Sequence, residues 1–183
     1  EYIRNIGFDY LYDKSGLYDT LRTVVEKNVG DNGMPVELWQ SATGITRCWQ
    51  FLGNLQPYML NFLENHDEQR FASDFFGKSA GNTFAPLHVS MLLNTAPFMI
   101  YFGEEVGEKG MDEEGFSGRD GRTTIFDYWT VDTIRRWRSG GKFDGKMLTK
   151  EEKKLQSFYS TLLNLCNKEK AIREGVFFDL TYA

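Results

Sequence analysis

The stretch YMLNFLENHDEQR, residues 58–70, is mostly apolar and then stops on Asn65, His66 and Asp67. Pro57 leads into it, and the run from Tyr58 to Asn65 predicts a buried strand. Two readings fit its polar end. A strand can close in a turn that carries no chemistry. A hydrophobic strand that presents a His-Asp pair at its carboxyl end also matches how barrel enzymes present working residues. On these three letters the two readings stand level.

Upstream, GFDYLYDKSG holds a short aromatic run, Phe8 to Tyr12, that predicts a strand closed by a Ser-Gly turn. GLYDTLRTVVEK then places Leu17, Tyr18, Leu21, Val24 and Val25 at helical spacing. After the GDNGMP loop, Leu38, Ala42, Ile45, Trp49 and Leu52 mark the face of a second helix. Downstream, residues 82–94 predict a helix with Pro86 in its first turn, where proline is best tolerated. PFMIYF, residues 97–102, is a continuous apolar run of strand length, and a long Gly-rich loop follows. The helix from Thr149 onward has Thr149 and Glu152 in capping-box positions and a stripe of Leu155, Phe158, Tyr159, Leu162 and Leu163. VFFDLTY, from residue 176, predicts one more strand. Continuous apolar strands alternating with helices indicate an α/β fold with a parallel sheet. Three βα units are too few to close a barrel of eight strands.

With 183 residues and a hydrophobic share of 41%, the chain can build one sizeable core. A net charge of −5 gives no global field that favours nucleic acid. The basic stretch RRWRSGGKFDGKMLTKEEKK is diluted by Asp144, Glu151 and Glu152, and its glycines predict a solvated surface loop. Cys48 and Cys166 fall in separate helical segments, so no disulfide framework or CxxC metal site is indicated. No apolar run reaches membrane-spanning length. The first residue is Glu1, with no Met and no signal-peptide pattern, and localisation stays open.

Most site chemistries find little in these letters. A nucleophile elbow needs G-x-S-x-G, and the nearest string, Gly115 to Arg119, lacks the final glycine. A metal phosphohydrolase built on His66 and Asp67 needs more imidazole than His88, which predicts a packed helix residue. No phosphate-cradling glycine motif is present. Glycoside hydrolysis uses carboxylates around an oxocarbenium-like transition state. Asp67 at a strand's carboxyl end suits such a set, with His66 as a donor to a sugar hydroxyl and Asn65 orienting either group.

At this point a resemblance enters. FLENHD, Phe62 to Asp67, resembles the strand-seven motif F-x-x-N-H-D of the α-amylase family of glycoside hydrolases, and every fixed position matches. IYFGEEVGE resembles the family's strand-eight segment, with Gly103 and Glu105 in place. GFDYLYDKSGLYDTLR is similar to strand six and its helix, and FYSTLLNLCNKEKAIREG to the last barrel helix. The likeness spans nearly the whole chain in the family's order. It departs where the family opens strand eight with G-x-P, since Ala96, Pro97 and Phe98 shift the proline by one. Phe102 replaces the usual Tyr, and residues 164–168 lack the expected Arg.

The resemblance implies a partial (β/α)8 TIM barrel, its last three βα units, over residues 1–175, with 176–183 as the first strand of a following β domain. It implies a hydrolase, an α-amylase-type glycosidase of carbohydrate metabolism, that cleaves starch-like glucans or maltodextrins with retention. Asp67 is then the transition-state stabiliser, and His66 and Asn65 are substrate-binding residues. Arg119, Asp120, Tyr128 and Trp129 would line a subsite, with packing the equal alternative for the two aromatics. The family's nucleophile and acid carboxylates map to no residue of this chain. The fragment itself is therefore expected to be inactive, and its open sheet edges to favour self-association. The implied partner is an α-glucan or maltooligosaccharide, with no nucleic acid and no membrane. Calcium is a family habit, but no ligand set stands in this sequence. The alternative is a non-catalytic relative that serves glucan binding or partner assembly.

Overall fold

The computed structural model describes residues 2–28, 38–113, 115–116, 118–126 and 131–180. Strand β1 (Leu11–Tyr12) pairs in parallel with β2 (Met59–Phe62), Leu11 opposite Met59 and Tyr12 opposite Leu60. β2 pairs in parallel with β3 (Phe98–Met99), Asn61 opposite Phe98 and Phe62 opposite Met99. The sheet order is β1-β2-β3. Parallel neighbours need crossovers, and helices supply them. Between β1 and β2 lie α1 (Asp19–Asn28) and α2 (Leu38–Leu52), and between β2 and β3 lies α3 (Phe84–Leu92).

The strands are shorter than their apolar letters. Phe8 to Tyr10 stay outside β1 and the ladder takes only Leu11 and Tyr12. Pro57 closes a 3₁₀ turn, Gly53–Tyr58, so β2 starts at Met59. In β3 only Phe98 and Met99 of the run 97–102 are paired. Residues 175–179 are neither helix nor strand, so the strand expected from 176 is not formed in its described part, and 181–183 lie outside the described residues.

The chain divides into two compact units. The first comprises Glu1–Leu63, Ala85–Met99 and Leu165–Ala183 and the second Glu64–Phe84 and Ile100–Asn164. In chain order, the second unit takes over one residue after β2 and directly after β3. In the first unit the expected stripe is buried at Leu17, Tyr18, Leu21 and Val25, while Val24 is half-buried. Phe62 stacks on Tyr18, with ring centroids 4.8 Å apart, and meets Tyr12 edge-on at 5.3 Å. Asn61, buried in the strand, donates through Nδ2 to the carbonyl of Ser90. Trp49 packs against Phe177. Cys48 and Cys166 are both free thiols. His88 lies on the exposed face of α3 and not in the core, because Pro86, Leu87, Ser90 and Met91 take the buried face.

In the second unit Phe71, Phe76, Val106, Met111, Leu148, Leu155 and Leu162 are buried. The basic stretch read as a loop starts in a helix: Arg135, Arg136 and Arg138 belong to α4 (Asp132–Arg138). Helix formation there has a purpose that composition hides, because Arg136 forks onto both oxygens of Glu152 in α5 (Lys150–Lys168). The capping box forms as expected. Thr149 N–H donates to Glu152 Oε2 at 2.8 Å, and Glu152 N–H donates to Thr149 Oγ1 at 3.2 Å. Thr149→Ala is expected to cost about 1 kcal/mol, read as a lower urea midpoint at unchanged slope.

Candidate functional site

The polar end of the opening stretch is a turn built by Asn65. Its buried Oδ1 accepts N–H bonds from Asp67 at 2.8 Å and Glu68 at 2.9 Å. An Asn side chain that takes two backbone N–H groups in this way mimics a turn of main chain. Asn65 therefore turns the chain and orients its neighbours. The two residues it orients face solvent: the His66 side chain is 41% exposed and that of Asp67 77%. His66 Nε2 lies 3.3 Å from Asp67 Oδ2. The imidazole supplies a donor and the carboxylate an acceptor, side by side on one edge of the turn.

Beneath the exposed pair the turn is anchored by charge. Glu64 and Arg70 bracket it, and both are fully buried, at 1% and 0% exposure. Glu64 Oε1 accepts the N–H of Phe71 at 2.7 Å, and Arg70 Nη1 lies 3.1 Å from Glu64 Oε2. Arg70 Nη2 donates to the carbonyl of Phe102, and its guanidinium lies over the rings of Tyr101 at 4.7 Å and Phe102 at 5.1 Å. Gly103, at φ +80°, stands where a Cβ would come within 3.1 Å of Arg70 Nη2, so a side chain there meets both strain and the guanidinium. Glu104, also buried, accepts from Tyr101 N–H at 3.0 Å and from the hydroxyl of Tyr159 in α5 at 2.8 Å.

Two buried carboxyls thus lie in the field of one buried guanidinium, which contacts Glu64 alone among them. Burial pushes Glu64 up to about 7 despite the pull of Arg70. Burial also holds Glu104 well above the usual range, and the negative charge of Glu64 adds to it. Tyr159 is raised by its own burial and by Glu104. The sign of the consequence follows from proton counting. Between the ordinary glutamate value of 4.5 and about 7, the folded chain holds more protons than the unfolded one. Stability from this group is full below that window and falls as pH rises through it. The urea midpoint is expected to drop between pH 5 and pH 7.5, and Glu64→Gln is expected to flatten that drop. An unchanged slope in the variant would remove Glu64 as its source.

The loop after β3 joins the same unit. Arg70 N–H donates to the carbonyl of Gly121, and Met111 N–H to that of Arg122 at 2.8 Å. A Cβ on Gly110 would stand 2.5 Å from the Gly121 carbonyl carbon, which only glycine permits. Asp120 serves this loop: Oδ1 accepts Arg122 N–H at 3.0 Å, and Oδ2 lies 3.3 Å from Arg122 Nη1. Arg119 is exposed and lines a cleft of about 630 Å³ together with Glu108, Thr133, Arg136 and Glu152. Asn65, His66 and Asp67 are not among its walls. Within the cleft Glu108 accepts from Thr133 and from the Lys109 and Gly110 N–H groups, and Glu152 holds Arg136. Tyr128 and Trp129 lie outside the described residues.

Glu64, Arg70, Glu104 and Glu108 were not anticipated as part of a site. The letters carry little signal for them, because a charged residue reads as solvated until the loops that bury it and force it to find a partner are known. Among the described residues no group of three or more His, Cys, Asp or Glu side chains is placed to hold a metal ion. No helix of the described residues is long and apolar enough to cross a membrane. Comparison with protein-family models, with characterised proteins and with solved structures yields no match.

Proposed function

We propose that the chain is the rear part of the catalytic barrel of an α-amylase-type glycoside hydrolase, strand six to helix eight, acting on α-linked glucans with retention. The observation that carries this reading is the division of labour in the F-x-x-N-H-D motif. Asn65 is spent on the turn, while His66 and Asp67 stand exposed and adjacent. A turn without chemistry needs only the first of these. The parallel order β1-β2-β3 suits three consecutive barrel strands.

In this role Asp67 accepts sugar hydroxyls and favours positive charge at the anomeric carbon, while a His66 N–H donates to a neighbouring hydroxyl. Asp67 cannot also attack that carbon and protonate the leaving oxygen. Turnover therefore needs a nucleophile and an acid from elsewhere in a longer polypeptide, and the substrate choice among α-glucans rests with those parts.

Two measurements test the reading. The chain alone is expected to release no chromophore from a chromogenic maltooligosaccharide, while saturation-transfer NMR detects maltooligosaccharide contact that His66→Ala and Asp67→Ala abolish. Contact equal to that of a cellooligosaccharide control would sink it. The coding sequence upstream of Glu1 is expected to carry an Arg-x-Asp strand end followed by a Glu strand end. A frame that continues without both carboxylates would favour a non-catalytic relative.

A further inference from the structure

Glu64 and Arg70 flank the turn that bears His66 and Asp67, and no part of the glycosidase reading uses them or the nearby Glu104 and Tyr159. Glu64, Arg70, Glu104 and Tyr159 are each no more than 2% exposed. They form a chain of contacts: Glu64 to Arg70 at 3.1 Å, Arg70 across Tyr101 and Phe102, and Glu104 to Tyr159 at 2.8 Å. Glu104 is tied to the same segment by the Tyr101 N–H. We propose that these four residues form one buried ionisable cluster that positions the His66–Asp67 turn, with Glu64 as the positioning residue.

Charge counting makes the first half of the case. With both carboxyls ionised, two negative charges face a single guanidinium in a volume closed to water, and Glu105 and Glu108 add further negative charge toward Glu64. An unpaired buried charge is removed by protonation at far lower cost than it is kept. One proton held on either Glu64 or Glu104 leaves one anion against one cation. When that proton leaves to solvent, the cluster carries a net negative charge and Arg70 must serve two carboxylates.

The bonding makes the second half. Arg70 Nε, Arg70 Nη1 and Glu64 Oε2 are buried without an aligned hydrogen bond, although Nη1 and Oε2 are within ion-pair distance. A polar network with every bond made has one arrangement, whereas one with unspent donors and acceptors has room for a second. Glu64 directly precedes Asn65 and holds the far end of the turn through Phe71 N–H, so its rearrangement moves both ends together. The burial that raises the Glu64 carboxyl to about 7 puts the change near neutral pH, and burial raises Glu104 as well.

The inference concerns the turn alone and requires no sugar, so it and the glycosidase reading fail separately. The test is NMR of the intact chain from pH 4 to pH 9. A glutamate side-chain carboxyl ¹³C signal is expected to titrate above about pH 6, and the amide signals of Asp67 and Glu68 to move with the same midpoint. In His66→Gln, which removes the neighbouring imidazole, that amide movement persists. In Tyr159→Phe, which deletes the donor to Glu104, the midpoint rises by at least about half a pH unit. Glu64→Gln abolishes the amide movement. The wild-type carboxyl spectrum requires no variant to fold, and absence of any glutamate titrating above about pH 6 overturns the proposal. Loss of the amide movement in His66→Gln, or an unmoved midpoint in Tyr159→Phe, overturns it as well.

Discussion

Arg70→Ala is expected to destabilise the chain by about 3–5 kcal/mol, enough to consume much of the stability of an ordinary domain. Arg70 is wholly buried, donates to the Phe102 carbonyl, pairs with Glu64 and is covered by two aromatic rings. Truncation removes the one cation that offsets two buried carboxyls and leaves a cavity as well. Arg70→Lys is expected to recover only a small part, because a point charge lacks the planar fork and the ring stacking. The paired change Glu64→Gln with Arg70→Met should restore most of the loss. Glutamine keeps an oxygen for the Phe71 N–H, and methionine refills the space without charge. Urea unfolding of the three variants at pH 7 checks the series. A loss under about 1 kcal/mol for Arg70→Ala would mean that the guanidinium reaches water.

The sequence and the structure agree best where local rules decide. The capping box at Thr149 and Glu152 and the stripe Leu155, Tyr159 and Leu162 need only the residues of one helix, and both stand as expected. The parallel pairing was legible because continuous apolar runs separated by helices point to parallel strands joined by crossovers. Strand length was not. An apolar letter says that a residue can be buried, whereas a ladder needs a partner at the same height, and β1 and β3 offer only two residues each. The helix at Arg135 and Arg136 was hidden by the glycines behind it, since its worth depends on Glu152, distant in sequence. The turn chemistry of Asn65 lay within reach of the letters, but the buried partners of Glu64 did not. Glu64 and Arg70 look like ordinary solvated charges until the loops that close over them are known.

Asp67→Asn, made in the longer polypeptide that the proposed function requires, is expected to lower kcat on a maltooligosaccharide by about 10³-fold while KM moves by no more than a few-fold. The reasoning rests on what the substitution keeps. Asparagine has nearly the same shape, and the Asp67 N–H would still donate to Asn65 Oδ1, so the turn should hold its form. The negative charge alone is lost. That charge matters little to a neutral sugar in the ground state and much to an anomeric carbon that turns positive, so the loss falls on the transition state. A factor of 10³ corresponds to about 4 kcal/mol, the size expected when one preorganised electrostatic contact to the developing charge is deleted. His66→Ala should differ in kind, raising KM along with lowering kcat, because a donor to a sugar hydroxyl acts before and during the reaction. If Asp67→Asn instead raises KM and leaves kcat unchanged, the carboxylate only holds sugar. The chain would then be a binding surface on which the catalytic motif has lost its first use.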